Sequence, residues 1–390
     1  RFARHGVVHS IIPFGTMPQP DYGPLLTIRP AVACGKISPN CHKTAAVVPY
    51  AEFLSTIAGV ALQDSLPELH QLELLLRHAP APVSAQVLAM VSAADQQYPL
   101  YAISVGNAAP DKPVLLLTGG IHGLERIGTQ VLLAYLESLC SRLRWDQQFA
   151  ALFDRVQLYI LPLLNPGGMA RGWRSNARHV DLMRNAPQDC VEGAAFLVGG
   201  QRYSKFIPWF RGAADQLETE SRVLCDFVQQ RLFSAPFSLV LDCHSGFGQT
   251  DRLWFPYAKS STQPIAHLAQ MHRLRELLFQ TYPHQNYIFE PQCRHYLCHG
   301  DLWDHLFDQS LLHQHLMLPL TLEMGSWNWV RKNPFQLFKS HGLFHPVKPH
   351  RVKRVLRSHL ILFEFLLQAT AASAHWLPTV DSRNAVEAND

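Results

Sequence analysis

Apolar residues fall into two alternating patterns along most of this 390-residue chain. Four short runs are apolar at almost every position: 114–117, 156–161, 237–241 and 317–322. A strand that is hydrophobic on both sides is one covered on both faces, as in a parallel sheet flanked by helices. Between these runs, apolar residues recur three and four positions apart. That period predicts amphipathic helices over 125–143 (Ile127, Val131, Leu132, Tyr135, Leu136, Leu139), 214–232, 264–281 and 349–369. Weaker signals predict strands at 87–91, 100–105 and 253–257 and a short helix at 300–307. Strands alternating with helices predict an α/β fold with a mixed, mostly parallel central sheet and helices on both faces.

Before residue 84 the pattern changes. Residues 1–45 are rich in Pro and Gly and read as an extended lead-in, and 48–78 read as helical before Pro80 and Pro82 break the run. The expected organisation is an N-terminal extension or small cap over 1–84, a main domain over 85–372, and a polar, disordered tail over 373–390.

Composition narrows the function classes. With 47% apolar and 16% charged residues the chain has a sizeable core and is not a disordered one. A net charge of +4 is mild. The one basic cluster (Lys348, His350, Arg351, Lys353, Arg354, Arg357) reads as a solvated face of the last helix, and no nucleic-acid partner is expected. No run of 18 apolar residues predicts a membrane span. None of the eight Cys forms a C-x-x-C pair, which disfavours a Cys-rich structural zinc site. Cys140, Cys225 and Cys243 read as buried thiols that fit a reducing, cytoplasmic compartment, although a removed presequence would not be visible in a chain that begins at Arg1. Cys34–Cys41 and Cys293–Cys298 are pairs that an oxidising compartment would permit.

In open α/β sheets ligands bind beyond the carboxyl ends of the strands. The first buried run leads into Gly119-Gly120-Ile121-His122-Gly123-Leu124-Glu125. His122 and Glu125 share one face of a turn, so an imidazole and a carboxylate can meet one ion; taken alone, Glu125 is equally a first-turn carboxylate favoured by the helix dipole. The run 237–241 ends in Asp242-Cys243-His244-Ser245, where His244 offers a third ligand and Asp242 or Ser245 can orient imidazoles. A surface turn is the plainer reading of that tetrad. The run 317–322 ends in Glu323, well placed as a general base. After 156–161 comes Asn165-Pro166-Gly167-Gly168, then Arg171-Gly172-Trp173-Arg174 and Asp181-Leu182-Met183-Arg184-Asn185. Arginines there suit carboxylate recognition and oxyanion stabilisation, or simply make a solvated basic loop.

Together these segments resemble the zinc carboxypeptidase family, with its H-x-x-E pair, N-P-D-G, R-x-W-R and D-x-N-R-N segments, a D-x-H-S third ligand and a late strand-end Glu. The spacings agree: 119 residues from Glu125 to His244 and 79 from His244 to Glu323. The resemblance spans roughly 85–370. It implies a zinc-carboxypeptidase-like fold and a hydrolase with one Zn2+ per chain held by His122, Glu125 and His244, with Glu323 as base and Arg174 stabilising the oxyanion. Substrate contacts would come from Arg184, Arg171, Asn185 and Tyr296, and the substrate would be a peptide losing C-terminal residues. Two positions depart from the family pattern: Met183 replaces an Asn beside the carboxylate-binding Arg, and N-P-D-G has become N-P-G-G. Met183 removes a donor from the carboxylate pocket, so the resemblance carries metal hydrolysis more firmly than strict carboxypeptidase activity. Two alternatives stand beside it: a zinc deacylase of N-acyl amino acids, and a silent zinc-binding protein, against which the presence of Glu323 argues. Asp301 or Asp304 would favour a basic substrate side chain, or would cap the short helix beginning there. The aromatics Trp173, Phe247, Trp254, Trp327 and Trp329 point to a bulky or extended ligand.

Overall fold

A computed structural model describes residues 66–338 and 342–378. Cys34, Cys41, the lead-in 1–45 and most of the expected 48–78 helix lie outside these residues. In chain order the described elements are α1 (Pro67–Arg77), β1 (Val83–Ala93), β2 (Gln96–Val105), β3 (Val114–Gly119), α2 (Arg126–Arg142), α3 (Gln147–Leu152), β4 (Gln157–Leu161), α4 (Pro166–Arg171) and α5 (Thr219–Arg231). They continue with β5 (Ser238–Ser245), β6 (Arg252–Phe255), α6 (Leu268–Thr281), β7 (Ile288–Pro291), α7 (Leu302–Leu312), β8 (Met317–Met324), α8 (Trp327–Lys332), α9 (Pro349–Ser358), α10 (Leu360–Ala371) and α11 (Ser373–Trp376).

The eight strands form one sheet in the order β1-β2-β4-β3-β5-β8-β6-β7. Its centre, β4-β3-β5-β8, is parallel. The β1–β2 hairpin joins β4 antiparallel, and β6 joins β8 antiparallel with β7 parallel beyond it. Every residue of β3, β4 and β5 is buried, so both faces of the sheet centre are covered. This is the mixed α/β architecture that the continuous apolar runs predict. Register matters more than strand count. Gly119 at the end of β3 lies opposite Cys243 of β5, and His244 of β5 lies opposite Glu323 of β8. Three strands therefore finish level with one another.

The differences from expectation have local causes. The hairpin strands are longer than 87–91 and 100–105, because β1 is an outer strand whose added positions Ser84, Ala85 and Gln86 are exposed or half-buried and carry no alternating apolar signal. β7 is a four-residue edge strand ending in Pro291, too short to show a period. The expected helix 349–369 is two helices meeting at His359 (φ −96°, ψ −8°). The His359 ring is buried, and its Nδ1 shares a 2.8 Å hydrogen bond with Tyr287 Oη. Residues 373–376, expected in the polar tail, form α11, where Trp376 Nε1 donates to Ala369 O at 2.7 Å. Cys140, Cys225 and Cys243 are buried free thiols, and Cys293 and Cys298 are also unbridged. Among the described residues no helix is long and apolar enough to cross a membrane.

Residues 66–77 share the core of the body that follows. Leu66, Leu69, Leu72 and Leu76 are buried in it. The buried Glu68 pairs with Arg126 at the start of α2 and accepts from Gln130 Nε2 at 3.0 Å. A four-Leu stripe at helical spacing, anchored by a buried ion pair, makes α1 a stabilising element. We expect Leu69→Ala to cost about 2–5 kcal/mol in urea unfolding, the usual range for a fully buried Leu. Leu74→Ala, on the exposed side of the same helix, should cost less than about 0.5 kcal/mol.

Candidate active site

β3 passes through Gly120, whose φ of +68° a side chain would strain, into the turn that carries His122 and Glu125. That turn is pressed against the start of α4: a Cβ on Gly123 would stand 2.2 Å from the backbone of Gly168 and Met169. Asn165 fastens the two together. Its Nδ2 donates to Ile121 O at 3.0 Å, and its Oδ1 accepts from Gly168 N at 2.8 Å, which also caps α4. Asn165 and Gly168 thus have a structural reason to be present, and the intervening Gly167 does not disturb it.

Register then brings the β5 end to the same place. Glu125 Oε2 accepts from Ser245 N at 2.9 Å and lies 3.2 Å from His244 Nδ1. The other ring nitrogen of His244, Nε2, meets Asp242 Oδ2 at 2.7 Å. Asp242 is completely buried and is itself held by Thr118 Oγ1 (2.8 Å) and Trp303 Nε1 (2.9 Å). One imidazole nitrogen is therefore spent on orientation, and the other faces Glu125. Ser245 does not orient an imidazole; its hydroxyl donates to Phe344 O.

His122 is buried as well. Arg174 Nη2 donates to its Nε2 at 2.7 Å, while Nδ1 makes no hydrogen bond, with Asp181 Oδ1 3.7 Å away. Burial, and then the Arg174 charge, hold its pKa well below the usual histidine value, so the ring is neutral and able to act as a ligand. Burial opposes charge on His244 too, but Asp242 and Glu125 outweigh it and hold that pKa well above the usual value. Ligand atoms of His122, Glu125 and His244 all lie within 4.8 Å of one another. Two imidazoles and a carboxylate, with one buried ring nitrogen lacking a partner, suit a zinc ion with an open fourth position.

Glu323, at the end of β8, completes the cluster. Its Oε1 accepts from Phe247 N at 2.9 Å. Burial, and then the negative charge of Glu125, push its pKa up to about 8; a divalent cation held by His122, Glu125 and His244 would pull it back down. Arg174 bridges the other side, with Nε 2.8 Å from Asp181 Oδ2 and Nη1 3.2 Å from Glu125 Oε1.

Comparison with known proteins supplies the family. The sequence profile of the zinc carboxypeptidase family matches residues 88–303. The chain belongs to the zinc carboxypeptidase family. Carboxypeptidase E of Caenorhabditis elegans is 29% identical over 160 residues, covering 37% of this chain and 33% of that protein. Human carboxypeptidase D is 26% identical over 182 residues, covering 44% of this chain and 12% of that protein. The matches thus span a third or less of these curated relatives. In fold the chain resembles thrombin activatable fibrinolysis inhibitor (TM-score 0.57, 20% identity, 77% of this chain and 72% of that one). It also resembles carboxypeptidase A of Helicoverpa armigera (TM-score 0.56, 17% identity, 84% and 74%). Family membership makes the chain a metallocarboxypeptidase-family hydrolase, with zinc as the family's metal. The profile match stops at residue 303, short of Glu323, so the place of Glu323 beside the cluster rests on the β5–β8 pairing.

Of the nine residues named from the sequence, seven line a single cavity of about 380 Å3: His122, Glu125, His244, Glu323, Arg174, Arg184 and Tyr296. Arg171 and Asn185 do not. Arg171 is on the last turn of α4, exposed, and its guanidinium lies over the Trp173 ring at 4.7 Å. Asn185 is buried and fully used, donating to Arg211 O and accepting from Glu218 N. Arg184 is buried beside Met183, and its donors make only long contacts of 3.4 Å, to Val198 O, Met183 O and Tyr296 Oη. Phe247 and Trp254 line the cavity, whereas Trp173, which stacks on His179, does not; Trp327 is half exposed and Trp329 is buried elsewhere. Sequence reasoning missed Val198, Trp209, Leu343 and Phe344. The only hint was the density of aromatics at 203–210, where Trp209 has a φ of +63°.

Asp242 should act on the metal through His244. We expect Asp242→Asn to lower zinc affinity by about 10–100-fold in chelator competition, the usual range for a carboxylate behind a histidine ligand. Ser245→Ala should leave that affinity unchanged.

Proposed function

We propose that the protein is a zinc-dependent carboxypeptidase in which His122, Glu125 and His244 hold the metal and Glu323 is the general base. The observation that carries this reading is Glu323 itself: a buried carboxylate directly across the β5–β8 ladder from His244, lining the same cavity as the three-residue group. A protein that only stored or sensed zinc would have no use for a second buried carboxylate there. Zinc, when bound, supplies Lewis-acid polarisation of the scissile carbonyl and of a water molecule. Glu323 would take the proton from the attacking water and deliver it to the departing amine. Arg174, already at the rim of the group, would face the oxygen on which negative charge develops.

Arg184 would hold the substrate's terminal carboxylate. Its long contacts leave its donors poorly used, and a carboxylate offers shorter, charge-assisted bonds. Met183 contributes no donor to that pocket, so Arg184 would bear this role without the neighbouring amide.

Asp301 bears on the substrate side chain. Its Oδ1 caps α7 by accepting from Trp303 N and Asp304 N. Its Oδ2 is buried in the cavity without a hydrogen bond, 3.9 Å from Arg184 Nη1. Capping and recognition are thus divided between two oxygens of one carboxylate. When Arg184 turns to a substrate carboxylate, Asp301 would lose its counter-charge, and a cationic C-terminal side chain would restore it. Asp304, by contrast, is taken up by Ala258 N and Lys259 N.

Elemental analysis and a mixed peptide library test the central reading. We expect one zinc per chain, lost in His244→Ala, and C-terminal trimming abolished in Glu323→Gln with zinc retained. Zinc without trimming of any peptide would instead direct attention to N-acyl amino acids, and absence of stoichiometric metal would remove the reading altogether.

The specificity assignment has its own check. Asn can still cap α7, so Asp301→Asn should fold normally. It should lower kcat/KM for peptides ending in Lys or Arg by about 100-fold, the scale of a lost buried charge pair, and leave peptides ending in Leu little changed.

A further inference from the structure

A second, larger cavity of about 790 Å3 lies apart from the catalytic one. The floor is the 249–251 segment, Gly325 and Asn328; one wall is the 284–287 turn; the other is a face of α9 carrying His350, Arg351, Arg354, Val355 and Ser358. These α9 positions recur at three and four residues and so share one side of the helix. The basic cluster read from the sequence as a solvated helix face is therefore split. Arg351 and Arg354 line the cavity, while Lys353 and Arg357 do not.

Lys332, at the end of α8, adds a third fixed cation. Arg351 is held in place: Nη1 donates to Trp329 O at 3.1 Å and Nη2 to Lys332 O at 3.4 Å, both near the carboxyl end of α8. Asp251 is the sole carboxylate among the described residues lining the cavity. Its oxygens are engaged elsewhere, with Oδ1 accepting from Gly325 N at 2.8 Å and Oδ2 lying 3.8 Å from His359 Nε2. Among the described residues no carboxylate forms an ion pair with Lys332, Arg351 or Arg354. Three cations thus line one concave surface on which Asp251 is the one carboxylate among the described residues. Amide and hydroxyl groups of Gln249, Thr250 and Asn286 also line it.

We propose that this cavity is a binding site for a small, multiply charged phosphate-type anion. Like charges gathered in a concavity repel one another, and a dense anion relieves that repulsion while using the neutral donors around it. A single carboxylate would satisfy one guanidinium and leave the others. The cavity volume is that of a small-molecule site. Adjacent phosphate groups occur in soluble oligophosphates and in phosphorylated lipid headgroups; a concave lining that can surround a small ion favours the soluble form over a flat headgroup layer.

The site requires neither zinc nor peptidase activity, so it stands or falls independently of the catalytic reading. The side chains of Lys332 and Arg354 are exposed and make no hydrogen bond or ion pair with other described residues, so replacing them leaves the fold intact. Titration of the full chain with inorganic tripolyphosphate by calorimetry at low ionic strength should give one bound anion per chain, weakening as salt is raised. The double variant Lys332→Gln/Arg354→Gln should lose at least tenfold in affinity. The charge-matched double variant Lys353→Gln/Arg357→Gln, outside the cavity, should keep wild-type affinity. Equal losses in the two variants, loss in neither, or no binding to the wild type would overturn the proposal. Binding to phosphatidic-acid vesicles in the absence of tripolyphosphate binding would likewise overturn it in favour of a membrane surface.

Discussion

Five carboxylates, those of Glu125, Asp181, Asp242, Asp301 and Glu323, are buried around one small cavity, with only the guanidiniums of Arg174 and Arg184 among them. Such an excess of buried negative charge is unfavourable in a protein interior. The structure answers it in part by raising the pKa of Glu323 and by drawing a proton onto His244. A divalent cation at the His–Glu–His group would answer it more fully, because it would release His244 to be a neutral ligand and let Glu323 ionise. The same charge excess explains why so many backbone and indole N–H groups point inward: Ser245 N to Glu125, Phe247 N to Glu323, and Trp303 Nε1 to Asp242. Each is a fixed dipole placed where a charge has to be buried.

That concentration of charge is possible because β3, β5 and β8 are parallel and end level. A slip of one residue between β5 and β8 would turn His244 and Glu323 to opposite faces of the sheet. The core strands resist such a slip, since each is apolar on both sides and packed throughout. Stability of the sheet centre and precision of the site are therefore the same property, expressed at two positions along each strand.

This coupling also explains what could be read from the sequence. The runs at 114–117, 237–241 and 317–322 announced both the buried strands and the chemistry at their ends, because an ionisable residue directly after a buried strand is costly and so conspicuous. The loop contributors were less legible. Arg171 and Arg174 belong to the same short segment, but the tight α4 turn sends Arg171 outward onto Trp173 and Arg174 inward onto Asp181. Arg184 and Asn185 are adjacent, yet one enters the cavity and the other ties down the chain at Arg211 and Glu218. Only three-dimensional context separates such neighbours. Val198, Trp209, Leu343 and Phe344 reach the cavity from segments with no periodic signal, and nothing in their spacing marks them.

The segment after β5 links the two cavities. Gly246 and Phe247 face the catalytic cavity, whereas Gln249, Thr250 and Asp251 face the basic one. The turn after β8 is tied to that segment by Gly325 N to Asp251 Oδ1, Trp327 N to Gly248 O and Trp327 Nε1 to Gly246 O. Glu323 is two residues before this turn, and Phe247 N holds its carboxylate. An anion seated against Thr250 and Gly325 would therefore press on the backbone that positions the proposed base, without touching substrate. Two groups of opposite charge, one acidic and completed by a cation and one basic and completed by an anion, would then share a single strand-end framework.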